Sequence, residues 1–214
     1  MASDATGTPL RRSLTGTAPA RPGPLDALRA AHRVFQAGRR VDMQAIARTL
    51  GVDRATLYRW VGSREQLLVE VLWNQMSKTI QRLRAPSADG VRASAADIVT
   101  GATQAAMTSP GMRSFLEREG ELALKLLTTK AADFQRRLIK LIADVIEEDR
   151  RDGRLCGSVP PEDLPYLVVR VMESYVYTSL ITGEEPDTER ASRAIHALLP
   201  GAKPASRQGD GGRK

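Results

Sequence analysis

DMQAIARTLGVDRATLYRWVGSREQL, residues Asp42–Leu67, reads as two short helices joined by a tight glycine turn. Asp42 stands where a helix N-cap belongs. Met43, Ile46, Ala47 and Leu50 then recur at the spacing of one helix face. Gly51 follows the last apolar residue, where a left-handed backbone is least costly for glycine. Val52 plugs the turn. Asp53 repeats the capping signal and opens a second helix through about Val61. That helix has two inward anchors, Leu57 and Val61, four residues apart. Arg54, Ala55, Thr56, Tyr58 and Arg59 are left to point elsewhere. So few anchors are poor use of a core helix but suit one presented to a groove. The pattern is a helix-turn-helix, and its expected partner is a double-stranded DNA operator.

The outward residues fit that partner chemically. Arg54 lies in the first turn, and its guanidinium fork can meet guanine N7 and O6 together. The Ala55 methyl permits close approach and can touch a thymine methyl. The hydroxyls of Thr56 and Tyr58 suit phosphate oxygens, which fix register without reading sequence. Arg59 suits either role. Arg64 follows the capping Ser63, where free N–H groups favour a phosphate. Gln44 on the first helix, with Arg39 and Arg40 in the connection before it, complete the expected DNA-binding set. Trp60 fits core packing and a phosphate-side contact equally well.

Charge follows the same division. Residues 1–84 hold 14 Lys and Arg against 6 Asp and Glu, residues 85–200 hold 14 against 18, and residues 201–214 hold 4 against 1. The positive excess therefore lies on the half with the helix-turn-helix, as an electrostatic footprint on DNA requires.

No alternating β-branched run or Asn-Gly hairpin signal occurs, which predicts an all-α chain. Residues 1–23 lack bulky apolar side chains apart from Met1, Leu10 and Leu14 and read as a disordered basic arm, whose Arg11, Arg12 and Arg21 could reach a minor groove. Residues 24–70 read as a three-helix DNA-binding domain. Its first helix, about Pro24–Ala37, shows Leu25, Leu28, Ala31 and Phe35 on one face. A fourth helix, from Ser63 to about Leu83, leaves this domain. Residues 84–200 read as a helical domain for ligand binding and dimerisation. Its expected helices run from about Gly90 to Thr108, around Met112–Leu116, around Leu122–Leu127, over Lys130–Arg151, from Pro161 to about Ile181, and from Asp187 to Leu199. Residues 201–214 read as a disordered tail.

No apolar stretch is long enough to span a bilayer and no signal-peptide core is present, so no membrane partner and a cytoplasmic protein are expected. Cys156 is the single cysteine, which excludes an internal disulfide framework and a cysteine-rich metal site. His32 and His196 are the two histidines. No nucleophile has a base beside it in sequence, so no enzyme, metal or cofactor is expected. An architectural nucleic-acid binder is the remaining rival, and it leaves a helical domain of more than 100 residues without a purpose.

Leu50-Gly51-Val52-Asp53-Arg54-Ala55-Thr56-Leu57-Tyr58-Arg59-Trp60-Val61-Gly62-Ser63-Arg64-Glu65-Gln66-Leu67-Leu68 resembles the core motif of TetR-family transcriptional regulators. Two departures stand out. The connection Gly38–Asp42 is one residue shorter than usual, and Trp60-Val61 replaces the common His-Phe. Arg39–Ala45, Tyr58–Arg64, Phe115–Glu119 and Leu180–Pro186 are further similar to the QsdR-type subgroup, associated with control of quorum-signal lactone degradation. The resemblance implies a homodimer and a small-molecule effector held inside the second domain. The expected function is a ligand-responsive, sequence-specific repressor, released by a mostly apolar lactone or acyl compound. Trp73, Met76, Met107, Phe115, Met172, Tyr175 and Glu173 are the candidate effector contacts, with Met112 and Phe134 nearby in type. Arg170 and Glu173, three apart, suit pairing with each other or orienting a polar ligand group. The helix bearing Leu164, Leu167, Val168, Val171, Met172, Tyr175 and Val176 is apolar nearly all round. It fits a dimer interface, with Leu164, Val168 and Val171 joined by Ile195 and Leu198 of the last helix, and it also fits the centre of one protomer.

Overall fold

In a computed structural model, residues 22–157 and 159–201 are described. The expected arm and tail lie almost wholly outside the described residues. Among the described residues, ten α-helices and one 3-10 turn account for the fold, and no strand forms beyond an isolated Leu155–Gly201 bridge.

Three helices build the N-terminal end: α1 (Pro24–Gln36), α2 (Met43–Leu50) and α3 (Arg54–Val61). Local chemistry fixes their starts. The Asp42 carboxylate accepts the Ala45 N–H at 2.7 Å, and the Asp53 carboxylate accepts the Thr56 N–H at 2.7 Å. Gly51 takes the left-handed conformation, φ 66°, ψ 32°. The expected face of α1 holds at Ala31, Phe35 and half-buried Leu28 but not at Leu25. Ala27, Ala30, Ala31 and Phe35 are buried, while Leu25 is 65% exposed. Small side chains let the neighbouring helices close on α1, which turns its larger N-terminal leucine outward.

α4 (Arg64–Arg84) starts at a reciprocal cap. Ser63 Oγ accepts the Gln66 N–H, and Gln66 Oε1 accepts the Ser63 N–H. It carries the chain into α5 (Ala95–Thr108), α6 (Pro110–Thr128), the 3-10 turn Lys130–Ala132, α7 (Phe134–Arg151), α8 (Leu164–Val176), α9 (Thr178–Ile181) and α10 (Thr188–Leu198).

The sequence expectation placed the most enclosed helix near the C-terminus, but α5 is the one buried on nearly every side. Ala95, Ala96, Ile98, Val99, Ala102, Thr103, Ala106 and Met107 are all buried. It starts five residues later than expected, where Asp149, buried at the end of α7, accepts the Ala95 N–H at 2.6 Å and pairs with Arg154. Ser109-Pro110-Gly111 ends α5 and at once begins α6, with Ser109 as cap. The two short helices expected at Met112 and Leu122 are the halves of α6, separated by a break at Glu119. The helix expected over 161–181 starts at Leu164, with Pro165 in its first turn, and is interrupted at Tyr177. There the Thr178 hydroxyl donates back to the Ser174 carbonyl at 2.9 Å, a bond that bends helices.

Candidate nucleic-acid interface

α3 is fastened by little. Leu57 is its one fully buried residue, and Val61 and Trp60 are half-buried against the core. Trp60 therefore packs. Arg54, Ala55, Tyr58 and Arg59 are exposed together, and so are Gln44 on α2 and Arg39 and Arg40 in the connection. The Arg54 guanidinium stands over the Tyr58 ring, 5.8 Å from its centroid. Thr56 differs from expectation. Its N–H and hydroxyl both donate to Asp53, holding that carboxyl below its ordinary value, and the residue is half-buried. Its hydroxyl is thus spent on the cap rather than free for a phosphate.

Arg64 is a correction too. Its side chain is 20% exposed and reaches Glu119 of α6. Nη1 and Nη2 donate to the Glu119 carboxylate at 2.8 and 2.7 Å, and Nε donates to the Val41 carbonyl at 2.7 Å. Those hydrogen bonds hold the Glu119 carboxyl below its usual range despite partial burial. A guanidinium committed in this way is not offered to a phosphate. Glu119 was missed at the sequence level, since nothing local marks it.

The expected effector contacts divide. Met76 of α4, Met172 and Glu173 of α8, Met112 of α6 and Phe134 of α7 surround a cavity of about 30 Å³. Trp73, Met107, Phe115 and Tyr175 do not line it. Trp73 lies edge-on to Phe134 under the Arg137 guanidinium, 4.3 Å away, and Phe115 packs edge-on to Phe35 of α1 at 5.9 Å. Met107 is a core residue of α5. Tyr175 is half-buried, and Tyr177, after the end of α8, takes the inward place. Burial pushes the Glu173 carboxyl up to about 7, against the pull of Arg170 at 2.6 Å. Gln135 Nε2 donates to it at 3.1 Å. Burial, then the Glu173 charge, raises the Tyr177 phenol above its ordinary value.

A larger open groove, about 870 Å³, runs between α1, the end of α3 and the end of α6. Leu25, Leu28, Trp60 and Leu126 line it, and Lys125 pairs with Glu65 across its edge at 3.0 Å.

Of the expected interface residues, Leu164, Val168 and Ile195 are buried in the protomer's own core at 5%, 0% and 0% exposure. Val171 and Leu198 are half-buried. Tyr166 and Leu167 of α8 and Ile181 of α9 are exposed, with half-buried Val171 beside Leu167. Leu167, Val171 and Ser174 share one face of α8 by spacing, and Arg170 lies over Tyr166, 5.2 Å from its centroid.

Among the described residues, no helix is long and apolar enough to cross a membrane, and no cluster of His, Cys, Asp or Glu could hold a metal ion.

The arrangement recurs in known proteins. Residues 27–71 match the family of bacterial regulatory proteins, tetR family, and residues 90–200 match the tetracyclin repressor-like C-terminal domain. No curated protein sequence matches the chain. Similar solved structures include QsdR, a TetR-family transcriptional repressor of R. erythropolis, at 25% identity over 82% of this chain and 93% of that one, with a TM-score of 0.67. The reduced form of E. coli NemR, at 16% identity, covers 86% and 99% with a TM-score of 0.53. The fatty acid degradation regulator FadR of Bacillus halodurans, at 15% identity, covers 85% and 96% with a TM-score of 0.53. These last two share the fold. TetR proteins are transcription regulators rather than enzymes, and with more than half its length inside the family's C-terminal domain this chain belongs to the TetR family.

Proposed function

We propose that this protein is a homodimeric, sequence-specific repressor of the QsdR-type subgroup, released from its operator by a small, mostly apolar effector. The observation that carries this reading is α3, a helix with one fully buried residue and four outward groups suited to DNA. Arg54 and Ala55 read base edges, while Tyr58, Arg59, Gln44, Arg39 and Arg40 hold phosphates. Residues 24–70 serve as the DNA-binding unit, and residues 84–200 as the effector and dimer unit.

One recognition helix has too little contact area for useful specificity, and a two-fold dimer presents two half-sites. Exposed Leu167 and half-buried Val171 of α8 offer the face for that pairing, with exposed Ile181 on α9 beyond the break, since exposed apolar surface of this kind marks interaction sites. Leu198 of α10, half-buried near Pro160 and Leu164, is a further candidate for the interface.

A cavity of about 30 Å³ has room for a water molecule but not for an effector. Its walls are adaptable, however. Met76, Met112 and Met172 are unbranched and can repack around a guest. Glu173 and Tyr177 give such a guest one polar anchor in apolar surroundings, which suits a lactone or acyl compound with a single hydrogen-bonding head group. The 25% identity to QsdR supports the subgroup.

Selection of binding sites from random double-stranded DNA by purified protein tests the reading. A two-fold symmetric site, released by a lactone or acyl compound, is the expected result. Selection of nothing above background, with and without those compounds, would sink it.

A further inference from the structure

α6 leaves helical geometry at Glu119, with φ −137° and ψ 41°. At this break its carboxylate meets the first turn of α4. The two Arg64 hydrogen bonds at 2.7 and 2.8 Å form a bidentate pair, which fixes orientation as well as distance. Both side chains are about four-fifths buried, at 20% and 17% exposure. Arg64 in turn holds the Val41 carbonyl, and Arg40 approaches the same carboxylate at 3.7 Å. Nearby, Ser114 Oγ donates to the Gly38 carbonyl at 2.8 Å. One carboxylate of the C-terminal half therefore gathers the α1–α2 connection and the start of α4.

We propose that Glu119 is a positioning residue for operator binding: through Arg64 it sets how α3 and α4 are carried on the C-terminal helices, and hence how the recognition helix meets DNA. The inference rests on the DNA-binding reading, and it gives Arg64 the role of a joint in place of a phosphate contact. It also gives the break a use. α6 supplies Met112 to the cavity wall before Glu119 and Leu127 after it, and Leu180 of α9 lies against Gly120 beside it. The break therefore lies on the same helix as two residues of the cavity wall, between them in sequence.

The test measures operator affinity over a salt series for the full-length protein, using a site selected from random DNA. Wild type, Glu119→Gln, Arg64→Gln, Arg64→Lys and the double variant Glu119→Gln/Arg64→Gln are compared, with circular dichroism to establish that each is folded. Each single variant is expected to weaken operator binding about tenfold, within the usual range for coupling between sites. The double variant should be no weaker than Arg64→Gln. The slope of log affinity against log salt should match wild type throughout. Arg64→Lys, which keeps the charge but loses the fork, should behave as Arg64→Gln.

A phosphate-binding Arg64 gives a different pattern. Arg64→Gln then lowers the slope by about one charge, and Glu119→Gln, by freeing the arginine, tightens binding. That pattern overturns the proposal, as does wild-type affinity in folded Glu119→Gln. Wild-type protein that selects no site at all overturns the DNA-binding reading, and the proposal with it.

Discussion

Arg54 stands over the ring of Tyr58 one helical turn along the exposed side of α3, with its guanidinium carbon 5.8 Å from the ring centroid. The stacking orders a long side chain before DNA arrives, which reduces what binding must fix. Arg54→Ala is expected to cost about 1–3 kcal/mol in operator binding and to relax discrimination at one base pair per half-site. Tyr58→Phe keeps the ring under Arg54 and removes only the hydroxyl, so it should weaken all sequences alike. Binding measured on the operator and on single-base variants separates the two. An equal loss on every sequence for Arg54→Ala would contradict base reading.

The two valines of α8 should behave oppositely. Val171 is half-buried on the free face, while Val168 has 0% exposure inside the protomer. Val171→Asp is expected to give folded monomers in sedimentation experiments. Val168→Asp, which buries an unpaired charge, should instead lose stability in urea unfolding. A Val171→Asp dimer of unchanged mass would remove α8 from the interface.

Stability should depend on pH through Glu173. Its carboxyl is raised to about 7 from an ordinary value of 4.5, so the folded state holds a proton that the unfolded state releases. Between those values folding binds the proton, and the stability from that site falls as pH rises. Glu173→Gln, which stays neutral, should match wild type near pH 5 and exceed it by about 1–3 kcal/mol near pH 8, taking about 1.4 kcal/mol per unit as the upper scale. Urea unfolding at both pH values measures this. A difference that does not change with pH would show that Glu173 keeps its charge in the fold.

Gly111 lies where α6 crosses the end of α1. A Cβ added there would sit 2.4 Å from the Phe35 carbonyl oxygen and 2.8 Å from its ring. Neither group can swing aside freely. Gly111→Ala is therefore expected to destabilise by about 1–3 kcal/mol, as overpacking does. Thermal unfolding checks it, and an unchanged midpoint would mean that the junction yields.

What the sequence disclosed follows the range of the interactions involved. The starts of α2 and α3 were legible because Asp42 and Asp53 bond to N–H groups three residues away, and the Gly51 turn was equally local. The outward set on α3 followed from the helical period. The break near Glu119 was legible as the gap between two expected short helices, but its partner was not, because Arg64 is 55 residues distant in the chain. Periodicity found the apolar sides of α8 and α10 but could not tell a side turned to the protomer's own core, as at Leu164, Val168 and Ile195, from one turned outward. α1 misled by size. Leu25 suggested that the buried face reaches the first turn, whereas Ala27 and Ala30 are the buried residues there.

The sparse fastening of α3 separates folding from recognition. Leu57 holds the helix in place, and exposed residues 54, 55, 58 and 59 contribute little to the core. Substitutions at these four positions can accumulate without threatening the fold. A lineage carrying this scaffold is therefore free to drift from one operator to another, and a library randomised at the same positions offers a direct route to retargeting it.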